Sequence, residues 1–128
     1  MERQARYDTG CEMSIRRELW RRGLRYRVDA RPEPDVRRRA DLVFRGPRVA
    51  VFVDGCFWHS CPEHGRVPRS NADWWAAKLA RTVNRDRETD RLLAEAGWAV
   101  VRVWEHEAPF AAADRIEDVL KARTRRDR

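Results

Sequence analysis

Cysteine and histidine residues gather in one short stretch of this sequence, at a spacing that suits a bound metal ion. Cys56, Cys61 and His64 lie in a single polar segment, and His106 follows a later apolar stretch. Four such side chains form a closed tetrahedral Zn²⁺ site, which stabilises a fold but leaves no open position for catalysis. A disulfide framework fits less well, because the chain has an odd count of 3 cysteines and no signal peptide. We therefore predict a structural zinc site with these four ligands; the alternative is free cysteines and surface histidines.

Acidic residues are the second group that could do chemistry. Enzymes that hydrolyse phosphodiesters hold Mg²⁺ with oxygen ligands, usually one or two carboxylates plus water and phosphate oxygens. Asp41 begins an apolar segment and Asp54 ends the next one, while Glu12 and Asp86 lie in helical segments. Each has a structural explanation alone: a helix cap, a strand start, a turn or an ion pair with arginine. Their convergence at one end of a sheet beside His59, a natural general base, favours a catalytic site.

The elements that must position these residues follow from apolar periodicity and from turn residues. In chain order they are a helix over 10–22, a half-buried strand over 24–28, a loop over 31–39, a hairpin over 42–44 and 49–53, a long helix over 73–96, a strand over 98–104 and a helix over 111–123. Thr9 and Glu12 have capping-box spacing, and Gly23 and Gly97 end the first and the long helix. A strand, a long helix and a second strand in succession predict a parallel crossover.

These elements predict one α/β domain over residues 1–128, with a central mixed sheet flanked by helices. A short arm (residues 1–8) precedes the first helix, and a basic tail (residues 122–128) follows the last one. The polar segment between the hairpin and the long helix is too rich in cysteine and histidine for an ordinary connection. We expect it to carry the zinc ligands and the catalytic histidine.

Charge and composition narrow the class of protein. The 128 residues carry a formal charge of +7, and all but two of the 28 basic residues are arginines, which suit phosphate recognition. With 42% hydrophobic residues, 6 Trp and no apolar run long enough to span a bilayer, the chain is neither a disordered tail nor a membrane protein. We expect a cytoplasmic location and a nucleic-acid partner; the alternative is a solvated basic surface without specific function.

Short motifs spread over residues 8–107 together resemble one family, the very short patch repair (Vsr) DNA mismatch endonucleases. The most specific are the segment from Phe52 to His59 and the pair Trp104-Glu105. The supporting motifs are Asp8-Thr9 with Glu12, Arg17 and Leu19; residues 22–24; residues 40–44; Val67-Pro68; residues 73–75 with Lys78; Arg85-Asp86; and residues 96–98.

This resemblance implies a restriction-endonuclease-like fold and a definite activity. The enzyme would nick one strand of double-stranded DNA, 5′ to the thymine of a T:G mismatch that arises when 5-methylcytosine deaminates. Asp41 would be the main Mg²⁺ ligand, together with the backbone carbonyl of Val53, and His59 would activate the attacking water. Glu12 would hold metal-bound water, and Asp86 would support the site from the long helix.

The resemblance also implies how DNA is recognised. Phe57, Trp58 and Trp75 match aromatic residues that wedge into the duplex beside the mismatch, where base unstacking costs least. Asp54 stands where a histidine is usual in the family, so it could bind metal, bind substrate or shape a turn. We expect a monomer with functional links to a DNA cytosine methyltransferase and to mismatch-repair proteins. The alternatives are a nuclease of other DNA specificity and a non-catalytic, zinc-containing DNA-binding domain.

Overall fold

A computed structural model describes residues 10–55 and 69–126 of the chain, with side chains up to residue 124. Three helices and four strands make up this part. In chain order they are α1 (Gly10–Arg21), β1 (Arg27–Ala30), β2 (Ala40–Phe44), β3 (Val49–Asp54), α2 (Ala72–Glu95), β4 (Ala99–Trp104) and α3 (Pro109–Arg126). None of these helices has a stretch apolar enough, at sufficient length, to cross a lipid bilayer.

The four strands form one mixed sheet in the order β1-β2-β3-β4. β2 and β3 pair antiparallel from Leu42 opposite Val51 to Phe44 opposite Val49, which confirms the predicted hairpin. β3 and β4 pair parallel, with Asp54 opposite Trp104, so the crossover through α2 is also confirmed. Because β2 runs opposite to its neighbour, its beginning lies beside the ends of β3 and β4. This side of the sheet, where Asp41, Val53, Asp54 and Trp104 meet, is called the site edge below.

Helices cover both faces of the sheet, as predicted. On one face α1 and α3 pack through a buried cluster with alternate residues of β2, β3 and β4, such as Ile15, Leu42, Val51 and Ile116. On the other face α2 contributes Leu93 to a second cluster, whose further members are Val36, Ala40, Val43, Ala50, Phe52 and Trp98. Strands covered on both faces are nearly continuously apolar, which is the pattern of residues 49–53.

The prediction for β1 is wrong in its position. The strand spans Arg27–Ala30 rather than 24–28, and Val28 is exposed. Leu24 is held by the end of α1, where its N–H donates to the Leu19 carbonyl, and the Tyr26 hydroxyl donates to the Arg16 carbonyl at 3.0 Å. Because Leu24 and Tyr26 contact α1 in this way, pairing of β1 with β2 starts only after them, at Arg27. The apolar alternation thus reflected packing against α1.

The other boundaries agree closely with the expected ones. Gly23 and Gly97 have φ values of 86° and 93°, a region that costs a glycine little, and each follows the end of its helix. Only the last helix is longer than expected, since it starts at Pro109 and continues to Arg126. Arg22, largely buried, joins this helix to α1 through ion pairs with Asp114 and Glu117.

Candidate active site

Asp41 occupies the point where β2 and β3 stop pairing with each other. Continuing their register beyond Leu42 and Val51 would place Val53 opposite Ala40. Instead, the Val53 N–H donates to Oδ2 of Asp41 at 2.6 Å. The N–H and C=O of one strand residue point to the same side, so the Val53 carbonyl also faces β2. In agreement, the next carbonyl, that of Asp54, points the other way and accepts from the Glu105 N–H at 3.0 Å.

The surroundings of Asp41 make its negative charge unfavourable. The pKa of this carboxyl is raised from 3.8 to about 6, chiefly by burial and also by the neighbouring charges of Asp54 and Asp29. The bond from Val53 and the positive charge of Arg16 oppose this rise. A carboxylate in such surroundings gains from the approach of a cation. Asp41 and the Val53 carbonyl are therefore two oxygen donors that together suit a hard divalent ion.

Glu12 approaches the site edge from α1. Its side chain is 2% exposed and forms an ion pair with Arg16, one turn further along the helix. The thiol of the adjacent Cys11 has its pKa raised by burial and by the charges of Glu105, Glu107 and Glu12. The first turn of α1 therefore lies close to the end of β4. The structure brings Glu12 to the same edge as Asp41, on the face covered by α1 and α3.

Asp54 and Asp86 lie on the opposite face, around an arginine that the sequence analysis did not single out. Arg102 donates to both carboxylate oxygens of Asp54 at 3.0 and 3.2 Å and to Oδ1 of Asp90 at 2.8 Å. Its guanidinium carbon lies 4.3 Å from the centre of the Phe52 ring. Burial disfavours this cation, but the carboxylates of Asp90, Asp54 and Asp86 raise its pKa overall. Arg102 thus joins the end of β3 to α2.

Asp86 has two arginines within ion-pair distance. Its Oδ1 lies 3.6 Å from Nη2 of Arg38 and 3.9 Å from Nη1 of Arg102. It lies on the buried face of α2, and pairing with arginine is the structural alternative given for it above. A local signal for Arg102 was present, because it is the only charged residue within the apolar strand β4. The residues it pairs with are distant in the sequence and carry no such signal.

Six of the predicted site residues lie outside the described residues. They are Cys56, Phe57, Trp58, His59, Cys61 and His64. The remaining predicted zinc ligand, His106, is exposed in the turn that follows β4. Within residues 10–55 and 69–126 no group of three or more His, Cys, Asp or Glu side chains could hold a metal ion. The zinc site therefore stays a prediction.

Trp75, the third predicted DNA-contacting aromatic residue, lies in the first turn of α2. It is half-buried, and its ring meets that of Trp74 edge-on at 4.8 Å between centroids. Trp74 is 54% exposed, and Nζ of Lys78 lies 5.5 Å from the centre of its ring. The beginning of α2 thus presents an exposed aromatic surface with an adjacent cation.

Comparison with known proteins identifies relatives of this chain. Residues 1–63 match the family model described as DNA mismatch endonuclease Vsr. The Type II nicking enzyme V.NaeI of Lentzea aerocolonigenes is 45% identical over 122 residues, which cover 94% of this chain and 74% of the relative. The Type II nicking enzyme V.XorIIP of Xanthomonas oryzae pv. oryzae is 35% identical over 102 residues, covering 78% and 72%. The DNA mismatch endonuclease Vsr of Escherichia coli (strain K12) is 36% identical over 101 residues, covering 77% and 62%.

A mixed sheet between helices, with acidic residues from three elements at one edge, is consistent with an endonuclease-like fold. The sequence matches identify the class of enzyme as an endonuclease. Within that class, the chain belongs to the Vsr family.

Proposed function

We propose that this protein is a Mg²⁺-dependent endonuclease that nicks one strand of duplex DNA 5′ to the thymine of a T:G mismatch. The observation that carries the proposal is the Asp41 carboxylate, fixed on the Val53 N–H where β2 and β3 separate. The name of the Escherichia coli relative specifies mismatched DNA, and the names of the nicking-enzyme relatives specify cleavage of one strand. The Asp41 side chain supplies a negative charge at the place where β2 no longer pairs with β3.

The residues at the site edge fit Mg²⁺, which takes oxygen ligands and keeps several waters. One carboxylate, Asp41, and one carbonyl, Val53, meet this requirement without a larger acidic cluster. When bound there, Mg²⁺ would stabilise negative charge on the cleaved phosphodiester as a Lewis acid. Asp41 and Val53 would hold it in place.

The other residues of the site would orient water and DNA. His59 would accept a proton from the attacking water. Glu12, kept in position by its ion pair with Arg16, would hold water beside the cation. Asp86 would act indirectly, through Arg38 and Arg102, which lie within ion-pair distance of its carboxylate. Asp54 is placed with Asp86 rather than with Asp41, since its carboxylate is bonded to Arg102.

Mismatch recognition would rely on aromatic residues. Phe57, Trp58 and Trp75 would insert beside the T:G pair and unstack it, at lower cost than in a regular duplex. The exposed ring of Trp74 next to Trp75 supports an aromatic contact surface at this end of α2. The arginine-rich surface would add phosphate contacts that are independent of sequence.

We also propose a structural zinc ion held by Cys56, Cys61, His64 and His106. The bond from the Glu105 N–H to the Asp54 carbonyl supports this set. This bond connects the end of β3 to the turn that carries His106, and the chain continues from β3 directly to Cys56.

Cys56→Ser should lose zinc and stability together, as measured by metal analysis and thermal unfolding. Cys11→Ser is the matched control, because Cys11 is a half-buried free thiol in α1; a zinc-free wild-type protein would contradict this proposal.

The direct test uses labelled duplexes that carry T:G, C:G or T:A at one position, with and without Mg²⁺. We expect a single nick, only in the thymine strand of the T:G duplex and only with Mg²⁺. Cleavage of all three duplexes would favour a nuclease of other DNA specificity. Tight binding without any nick, unchanged by Mg²⁺, would indicate a DNA-binding domain. Further expectations are a cytoplasmic monomer that cooperates with a DNA cytosine methyltransferase and with mismatch-repair proteins.

A further inference from the structure

A shallow groove of about 340 Å³ runs along the outer side of α1, away from the sheet. Its lining residues are Met13, Arg16, Arg17, Trp20, Arg21 and Tyr26. Five of them recur along α1 at the spacing of a single helix face, opposite the buried Ile15 and Leu19. The lining combines three arginines with two aromatic rings. Trp20 belongs to neither of the two hydrophobic clusters.

The aromatic part of this α1 groove is exposed and held in a fixed arrangement. Trp20 is 53% exposed, and the ring of Tyr26 meets it edge-on at 6.2 Å between centroids. The guanidinium of Arg25 is stacked on the other part of the indole, 3.4 Å from its centre. Nη1 of Arg25 also donates to the carbonyls of Trp20 and Leu24 at 3.1 and 3.3 Å. A cation is thus positioned at the surface before any ligand binds.

The groove keeps part of its positive charge. Of its three lining arginines, Arg16 and Arg21 are paired with Glu12 and Glu18, whereas within the described residues Arg17 is not, and Arg25 lies beside the groove on the Trp20 ring. Arg17 and Arg25 are exposed, and neither forms an ion pair in residues 10–55 and 69–124. Some other exposed arginines differ in this respect; Arg91, for example, is paired with both Glu88 and Glu95. A surface with unbalanced guanidinium groups and a flat aromatic ring matches a nucleic-acid backbone, which offers phosphates and sugars.

Arg16 connects this groove to the site edge. Its Nη1 donates to the sulfur of Met13, a lining residue, at 3.3 Å, and its Nη2 is paired with Glu12. The positive charge of Arg16 is also close enough to Asp41 to lower the pKa of that carboxyl. One arginine therefore belongs to both the groove and the site.

We propose that the α1 groove is a second DNA-contact surface, which binds the phosphodiester backbone of the duplex flanking the cleavage site. Arg17 and Arg25 contact phosphates, and Trp20 keeps the Arg25 guanidinium in place. The proposal rests on the proposed function, since it takes duplex DNA as the substrate. It assigns DNA binding to residues far from the aromatic surface of α2.

The test measures binding of the full-length protein to a fluorescent T:G duplex over a range of salt concentrations, in Ca²⁺ to prevent cleavage. In Arg17→Gln and Arg25→Gln we expect weaker binding, with the slope of log Kd against log salt reduced by about 1 for each variant. Arg45→Gln is the matched control. Arg45 is also exposed and also donates only to backbone carbonyls, those of Arg31 and Pro32, but it follows β2 at the end away from Asp41.

A reduced slope in both groove variants, with the Arg45 variant like wild type, supports the proposal. An equal change in all three variants would overturn it, because only net charge would then matter. Unchanged binding in the groove variants would overturn it as well, and would leave the groove to another occupant. Binding is measured without cleavage, so the failure of this inference can be distinguished from the failure of the proposed function. A protein that binds the duplex through this groove but does not nick it would refute the proposed function and would still support this inference.

Discussion

Asp41 and Asp86 were predicted for the same catalytic site, yet the structure gives them opposite electrostatic surroundings. Asp86 has two guanidinium groups within 4 Å, from Arg38 and Arg102. Asp41 has a peptide N–H as its partner, and its pKa is raised to about 6. A carboxylate balanced by arginine stabilises the junction between elements, whereas an unbalanced one at a strand opening favours cation binding. In the proposed function Asp41 therefore has the central role, and Asp86 has a positioning role.

The largest effect is expected for Asp41→Asn. Asparagine keeps an oxygen for the Val53 N–H but removes the charge, so nicking of a T:G duplex should fall by more than about a hundredfold. Single-turnover rates at saturating protein measure this. Asp90→Asn is the matched control, since Asp90 is a partly exposed partner of Arg102. Equal losses in the two variants would remove the distinction between the two groups of carboxylates.

Arg102→Gln should chiefly lower stability. The change removes the guanidinium that joins the carboxylates of Asp54, Asp86 and Asp90. We expect the free energy of unfolding to fall by about 2 kcal/mol in denaturant titrations. Arg91→Gln, which removes an exposed arginine that also pairs with two carboxylates, should cost less than about 0.5 kcal/mol. Similar costs for both would contradict a structural role for the Arg102 cluster.

Asp86→Asn should reduce nicking about tenfold, as is common for groups that orient direct ligands. The dependence of the rate on Mg²⁺ concentration should stay close to wild type, because Asp86 acts through its arginines. This combination distinguishes a positioning residue from a metal ligand. A strong shift in the Mg²⁺ requirement would place Asp86 beside Asp41 after all.

The smallest effect is the pH dependence of stability at Asp41. Its pKa is higher in the folded protein, about 6, than the usual 3.8, so the folded state holds this proton more tightly. The ionised carboxylate therefore lowers stability progressively as pH rises from about 4 to above 6. Asp41→Asn should raise the free energy of unfolding at pH 8, with the gain vanishing near pH 4. A destabilised variant at pH 8 would mean that the charge of Asp41 is already compensated.

The sequence predicted most of the fold because its signals are local. Periodic apolar residues placed α1 and α2, Gly23 and Gly97 marked their ends, and a Gly-Pro turn placed the hairpin. The error at β1 arose because Leu24 and Tyr26 alternate like strand residues but pack against α1. Local periodicity cannot tell these two environments apart.

The candidate site was only partly predictable. The position of Asp41 at the start of an apolar strand made it one of four candidate carboxylates, and the family resemblance singled it out as the expected Mg²⁺ ligand. The bond to Val53 depends on where two strands separate, and the Arg102 cluster depends on residues brought together from β3, α2 and β4. Such long-range contacts leave at most a weak trace in sequence, here a single arginine in an otherwise apolar strand.

The central claim is that Asp41, and not the arginine-paired carboxylates, holds the divalent cation. The most direct measurement is Mn²⁺ binding, followed by electron paramagnetic resonance, to wild type, Asp41→Asn and Asp86→Asn in complex with a non-cleavable T:G duplex. The account predicts a saturable Mn²⁺ site in wild type and Asp86→Asn that is lost in Asp41→Asn. Mn²⁺ binding that survives in Asp41→Asn, or that disappears in Asp86→Asn alone, would contradict it.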